Sequence, residues 1–255
     1  MMDYDVVRSN IDRKGFHIEK SLVDAEQILQ MRKFWIDFFT ENKVPNKTYV
    51  GGDFFYGEPN FLSYSGSPRW KLFRHYDFLW NKQTHSLTTK ICINLHKIRN
   101  KLQCLPEQSG LLFNELNYGV YISTSHYPGN GGMLRAHKDA PASANEIHFM
   151  LPLTFLGKDF NSGGLFVTDE DANKIVIDEF CGPGDVIFFK GMKTHGVEPV
   201  FSDGIGRIAV FAVPTLFATS WKFRVFGRTT FLWLRDMATR SIFFKVLKYI
   251  RGFSK

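Results

Sequence analysis

The 255-residue sequence predicts a mainly β fold with flanking helices, an α+β chain. Three observations carry that expectation. Short apolar runs bounded by Gly, Asp, Asn and Pro crowd positions 121 to 213, the pattern of strands joined by turns. Twenty-six phenylalanines supply bulky apolar mass of the kind that fills the space between two packed sheets. Helical spacing is confined to the flanks, and the length suits one domain with elaborations.

Taken in order, Met1-Met2-Asp3-Tyr4-Asp5 is too acidic for a signal peptide and lacks its apolar run, and no stretch reaches the ~18 apolar residues of a spanning helix. Residues 22–42 place Leu22, Val23, Ile28, Leu29, Met31, Phe34, Trp35, Ile36, Phe38 and Phe39 at helical spacing. Ser21 or Asp24 is positioned to cap that helix, whose crowded end is expected to be buried on the outer face of the sheets. Residues 46–80, rich in Gly, Pro, Ser and aromatics, read as a loop region, either a lid or a plain surface connection. Leu87 to Leu105 reads as a second helix. The expected division is an N-terminal elaboration (1–115), a β core (116–219) and a basic aromatic tail (220–255).

Within the core, alternation puts Tyr121, Tyr127, Arg135, His137 and Asp139 at positions that can face inward. His137 and Asp139 point the same way from one strand and can grip one metal ion. His195 follows 58 positions after His137, room for strands to run out and return beside the first. Its setting is Gly184-Asp185-Val186-Ile187-Phe188-Phe189-Lys190-Gly191, then Thr194-His195-Gly196: turn, apolar strand, turn, and the histidine as the next strand opens. Arg207 begins a further strand, Arg207-Ile208-Ala209-Val210-Phe211-Ala212-Val213. Two imidazoles and one carboxylate on one face of a metal leave the opposite positions open, the pattern of non-heme Fe(II) oxygenases. A His-x-Asp alone occurs by chance in many chains; its specificity comes from the ordered set with Gly-Asp-Val-Ile-Phe-Phe, His and Arg. His17, His75, His85, His96, His126 and His148 stand outside that ordered set and read as structural or surface residues.

The stretch Tyr121 to Val213 resembles the catalytic core of the Fe(II)/2-oxoglutarate-dependent dioxygenases, which fold as a double-stranded β-helix, the jelly-roll or cupin architecture. Tyr127-Pro128-Gly129-Asn130-Gly131-Gly132 is similar to the Tyr-x-Pro-Gly turn of prolyl-hydroxylase-like members, one residue shorter between Tyr and Pro. Gly163-Gly164-Leu165 resembles their Gly-Gly-x-Leu, and His195-Gly196-Val197-Glu198-Pro199-Val200 their distal histidine strand. Gly15-Phe16-His17-Ile18, followed by Leu22-Val23-Asp24-Ala25-Glu26, is similar instead to the opening of phytanoyl-CoA dioxygenase-like proteins, as is an arginine anchor.

The resemblance implies Fe(II) held by His137, Asp139 and His195, with 2-oxoglutarate and O2 as co-substrates. Arg207 is implied as the anchor of the far carboxylate of 2-oxoglutarate. The product side is succinate, CO2 and an oxidised C–H bond. Many relatives carry a Ser or Thr two residues after the anchoring arginine; here that position is Ala209. Tyr127, then Tyr121, are the candidates to supply the missing hydroxyl, against a reading in which each is buried for packing. Arg135 is a candidate to meet an anionic substrate, or an exposed strand-end residue. Halogenating relatives replace the carboxylate by a small residue, so Asp139 implies hydroxylation, desaturation or cyclisation.

Cys92, Cys104 and Cys181 form no Cys-x-x-Cys pair and suit a reducing cytoplasm. The tail from Trp221 to Lys255 holds nine Lys and Arg against one Asp, a net of +8; the whole chain carries +7, so residues 1–220 carry −1. Interleaved with bulky apolar residues, these cations suit a helix in the interface of an anionic membrane, or one that packs its aromatic face on the domain. A membrane position would offer lipid-linked or glycan precursors as substrates; a free enzyme would meet small molecules. The tail has no nucleic-acid motif, which argues against a nucleic-acid partner. The other readings are a cupin-type metalloenzyme without 2-oxoglutarate, a non-catalytic binding domain and a membrane-docked scaffold.

Overall fold

A computed structural model describes residues 2–42, 47–48, 54, 56–67, 69–112, 118–139, 147–169 and 172–217. The expected tail, 220–255, lies outside the described residues. In chain order the elements are α1 (Tyr4–Lys14), β1 (Phe16–Glu19), α2 (Ala25–Glu41), β2 (Lys47–Thr48), β3 (Phe61–Ser67), β4 (Trp70–Phe78), α3 (Ser86–Leu102), β5 (Tyr118–Tyr127), β6 (Asn130–His137), β7 (Ile147–Pro152), β8 (Ser162–Thr168), β9 (Lys174–Val176), a short 3-10 turn (Ile177–Phe180), β10 (Val186–Lys190), β11 (His195–Phe201) and β12 (Arg207–Leu216).

Helix α1 starts where the Asp3 carboxylate accepts from the Asp5 and Val6 amides. Asp24, one of the two expected caps, does the same for Glu26 and Gln27 at the start of α2. Ser21 instead donates its amide to Asp185, which ties the turn before α2 to the turn before β10. The buried stripe Ile28, Met31, Trp35 and Phe39 follows the helical repeat. Trp35 is fully buried, and its indole N–H donates to Thr88 Oγ1 of α3 at 2.9 Å.

The strands run β1-β10-β7-β12-β5-β4-β6-β11-β8-β9, with β3 and β2 continuing from β4. Among the described residues every strand pairing is antiparallel except β2 with β3. The path curls over on itself. Leu165 and Val167 of β8, near one end, pack in a single cluster with Met150 of β7, Ile187 and Phe189 of β10 and Ala209 of β12 from the other side. The result is a jelly roll whose inner space lies between these two walls.

Alternation sorts the residues. On β10, Ile187 and Phe189 face the inner cluster, while Val186 and Phe188 face outward against the helices; on β12, Ala209 is inward and Ile208 and Val210 outward. The outward set joins Val7, Ile11, Ile28, Met31, Trp35, Phe39, Ile91 and Leu95 in one core, so the helices cover the outer face of the longer wall as expected.

Residues 61–78 differ from the expected loop. They form the β3–β4 hairpin, and β4 pairs with both β5 and β6. Both faces of β4 are covered, so it lacks the apolar-polar alternation that marks a half-exposed strand. Tyr76 and Phe78 join an aromatic cluster with Phe54, Phe61 and Tyr121, whereas His75 and Asp77 are buried toward α2 and α3.

Candidate metal centre and inner cavity

The site is built across the shorter wall. His137 ends β6 and His195 opens β11, and the two are register partners. Their rings lie 4.4 Å apart, centroid to centroid. The chain then turns so that the Asp139 amide donates to the Gly191 carbonyl at 2.9 Å, and the carboxylate swings back to the histidines. Asp139 Oδ1 lies 3.8 Å from His137 Nε2, and Oδ2 lies 3.9 Å from His195 Nε2. One ligand atom from each of the three falls within 4.8 Å of the others.

Both rings are held in one tautomer by the backbone. His137 Nδ1 meets the Arg135 carbonyl and His195 Nδ1 the Lys193 carbonyl, each at 2.9 Å. A carbonyl can only accept, so Nδ1 carries the proton and Nε2 turns its lone pair to the shared point. Burial, and then the adjacent His195 ring, hold the His137 imidazole below its ordinary range, which keeps it neutral as a ligand must be. Gly191 completes the cradle, because a Cβ there would stand 2.4 Å from Asp139 Oδ2. Donor types, tautomers and spacing all fit a divalent metal of the iron or zinc kind.

A fourth polar group enters here. His148, on the inner face of β7, places Nε2 3.3 Å from Asp139 Oδ2, with its ring 5.7 Å from Phe189. Its role is invisible in the sequence, where it stands in the apolar run Ile147–Pro152. The approach arises from two walls facing each other and from no spacing along the chain.

Deeper in the barrel, Arg207 is 1% exposed. Asp178, from the short turn after β9, grips one edge of its guanidinium: Oδ2 to Nε at 2.6 Å and Oδ1 to Nη2 at 3.1 Å. Nη2 also approaches Met150 Sδ at 3.2 Å, while Nη1 is buried with no hydrogen-bond partner. Asp178 also accepts from the Leu165 amide at 2.6 Å. The glycine at 164 makes room for this, since a Cβ there would meet Asp178 Oδ2 at 2.5 Å.

The remaining sequence candidates are spread along the same barrel. Tyr127 is the register partner of Arg207, 2% exposed, with its ring 5.6 Å from the guanidinium carbon. Tyr121 lies further along β5 in the aromatic cluster, 4.7 Å from the Phe54 ring. Arg135 is exposed, and its carbonyl orients His137. Opposite Ala209, the position that lacks a hydroxyl, the register partner on β5 is Ser125.

The chain matches no protein-family model and no curated protein sequence. Solved structures do resemble it. A prolyl-4-hydroxylase of Pseudomonas putida aligns with a TM-score of 0.55 at 12% identity, over 85% of this chain and 100% of that one. An oxidoreductase of the 2OG-Fe(II) oxygenase family from Burkholderia pseudomallei aligns at 0.51 and 11%, over 86% and 94%. The non-heme α-ketoglutarate-dependent epimerase SnoN of nogalamycin biosynthesis aligns at 0.52 and 10%, over 83% and 82%. The chain thus has the jelly-roll fold of the 2-oxoglutarate- and Fe(II)-dependent oxygenases, a fold that in these structures serves both a hydroxylase and an epimerase.

Proposed function

We propose that the chain is a non-heme Fe(II)- and 2-oxoglutarate-dependent dioxygenase that hydroxylates a C–H bond of a small-molecule, glycan or lipid-linked substrate. The observation that carries this reading is the meeting of His137, Asp139 and His195 at one point of a jelly roll whose interior also holds an arginine with a free buried nitrogen. His137 Nε2, His195 Nε2 and an Asp139 oxygen would hold the metal. Bound iron and 2-oxoglutarate supply the oxidising chemistry, with release of succinate and CO2.

The chain's own residues do the rest. Arg207 Nη1 would take the far carboxylate of 2-oxoglutarate, and a buried cation with one unused donor is suited to that task. Tyr127, whose ring lies 5.6 Å from the guanidinium carbon, would assist through its hydroxyl. His148 Nε2, 3.3 Å from one oxygen of Asp139, would steady that oxygen and leave the other for the metal. Phe189, 5.2 Å from the His195 ring, keeps water from that side. Arg135, exposed two positions before His137, would meet an anionic substrate as it approaches.

No helix among the described residues is long and apolar enough to cross a membrane. The nine cations of residues 221–255 would bring a cytoplasmic enzyme to an anionic membrane face, where lipid-linked substrates are met. Calorimetric titration of the Mn(II)-loaded full chain with 2-oxoglutarate tests the reading. Metal-dependent binding that Asp139→Ala removes is expected; a folded, metal-loaded chain that ignores 2-oxoglutarate would point to a cupin-type enzyme of other chemistry.

A further inference from the structure

A cavity of about 610 Å³ opens in the flank of the barrel, where one wall ends in β1 and the other in β9. Among the described residues it is lined by Phe16 and Ile18 of β1, Ile175 of β9, Phe180 of the turn that follows, Asp169 after β8, and Arg13 and Lys14 at the end of α1. Register places it at the level of the candidate metal centre. Phe16 is the partner of Phe189, itself the partner of His148; Ile175 is the partner of Val167, itself the partner of His195. Partners in a sheet project to the same face, so both rows point into the barrel. Two strand spacings set Ile175 roughly 10 Å from His195 along its row. The cavity is thus lined by the outer members of these rows, with buried Val167 and Phe189 standing between them and the candidate ligands.

The floor of the cavity is apolar and open. Phe16 and Ile18 pack on the cluster of Leu165, Val167, Ile187 and Phe189 yet stay only half-buried, and Phe180 is 53% exposed. An apolar body laid there leaves water at a gain. The rim is cationic, since Arg13 and Lys14 are both exposed. Asp12, beside them in sequence, is paired with Lys190. Asp169, the carboxylate of the lining, is turned to Asn173, accepting from its backbone amide at 2.8 Å and its side-chain amide at 3.1 Å. A helix C-terminus favours cations in any case, but it does not account for their standing over an apolar floor. We propose that this cavity is a binding site for an apolar-bodied carboxylate, an arylalkyl or medium-chain acyl acid. The body would cover Phe16, Ile18, Ile175 and Phe180, and the carboxylate would meet Arg13 and Lys14, whose charged donors hold an anion better than a neutral group. The volume falls within the roughly 300–1,000 Å³ of small-molecule sites. Because Val167 and Phe189 separate it from the candidate ligands, the site is lateral to the metal and does not rest on the oxygenase reading.

Saturation-transfer NMR on the full chain tests this with 4-phenylbutyrate, its primary amide and acetate as probes. The acid should bind about fivefold tighter than the amide, a margin set by two solvent-facing cations, and acetate should bind too weakly to measure. The double variant Arg13→Glu, Lys14→Glu should erase the preference for the acid while the amide binds as before. Phe180→Ser should weaken acid and amide alike. All three side chains are exposed, so these variants leave the buried core untouched. Binding of the acid should persist in Asp139→Ala and in the presence of saturating 2-oxoglutarate, which sets this site apart from the metal and from Arg207. Four results would overturn the proposal: no binding of acid or amide, acid and amide binding alike in the wild type, a preference that survives the double variant, or acid binding lost with Asp139→Ala or displaced by 2-oxoglutarate. The oxygenase reading stands or falls separately, on metal-dependent binding of 2-oxoglutarate.

Discussion

Asp178 and Arg207 form an ion pair enclosed on all sides, with side chains 3% and 1% exposed and a shortest contact of 2.6 Å. Asp178 covers the Nε edge, so the guanidinium can address the cavity only through its far nitrogen, Nη1. The pair thus sets which face of the arginine a ligand meets.

Removing one member of such a pair leaves a buried charge without compensation. Asp178→Ala is expected to cost about 3–5 kcal/mol of stability, part of it from the Leu165 amide that also loses its acceptor. Urea denaturation measures this. A loss under about 1 kcal/mol would mean that water or a neighbour takes over, contrary to the enclosure seen here.

Gly191→Ala addresses the proposed metal cradle without replacing a proposed ligand. The added Cβ would stand 2.4 Å from Asp139 Oδ2 and 2.9 Å from His148 Nε2, so the carboxylate must turn away. Metal affinity is expected to fall about 10–100-fold while the far-ultraviolet spectrum stays unchanged. Wild-type affinity in a competition titration would show that the carboxylate has slack.

His137→Ala and Asp139→Ala should each abolish Fe(II) binding and leave the thermal transition nearly in place, because both side chains are only half-buried at the mouth of the barrel. A variant that still binds iron with wild-type affinity would refute the ligand assignment.

Acid should destabilise the fold through two histidines outside the candidate metal centre. Burial holds both His96 and His126 down at about 4, each with Nε2 against a backbone carbonyl, that of Ser109 or Ile205. In the unfolded chain they return to about 6.5, so between these values the unfolded state binds more protons. Stability present above pH ~6.5 is therefore lost as pH falls toward 4, by about 2 kcal/mol per histidine at pH 5. Denaturation midpoints measured across that window, with His96→Gln and His126→Gln flattening the slope, check the sign; a flat profile in the wild type would contradict it.

The proximity of His137, Asp139 and His195 was legible in the His-x-Asp spacing and in the turn and apolar run before His195, but the expected single strand was not: β6 ends at His137, and a turn held by the Gly191 carbonyl carries Asp139 back. The two expected helices appear as α2 and α3, since their apolar stripes keep the helical repeat. What escaped depends on the third dimension. His148 reaches Asp139 only because β7 and the turn after β6 face each other, and Asp178 reaches Arg207 from a short turn 29 positions away. The β3–β4 hairpin hid because burial on both faces erased its period, and helix α1 because its mostly polar sequence buries only Val7 and Ile11. Ser125 stands opposite Ala209 on the neighbouring strand, a relation that register alone reveals.

The most direct test is an anaerobic titration of the full chain with Fe(II) and 2-oxoglutarate, watched for the weak visible charge-transfer band that 2-oxoglutarate gives when it chelates Fe(II). The account predicts the band in the wild type and its loss in Arg207→Ala, with iron still bound. Folded, iron-loaded wild-type protein that develops no band would contradict it.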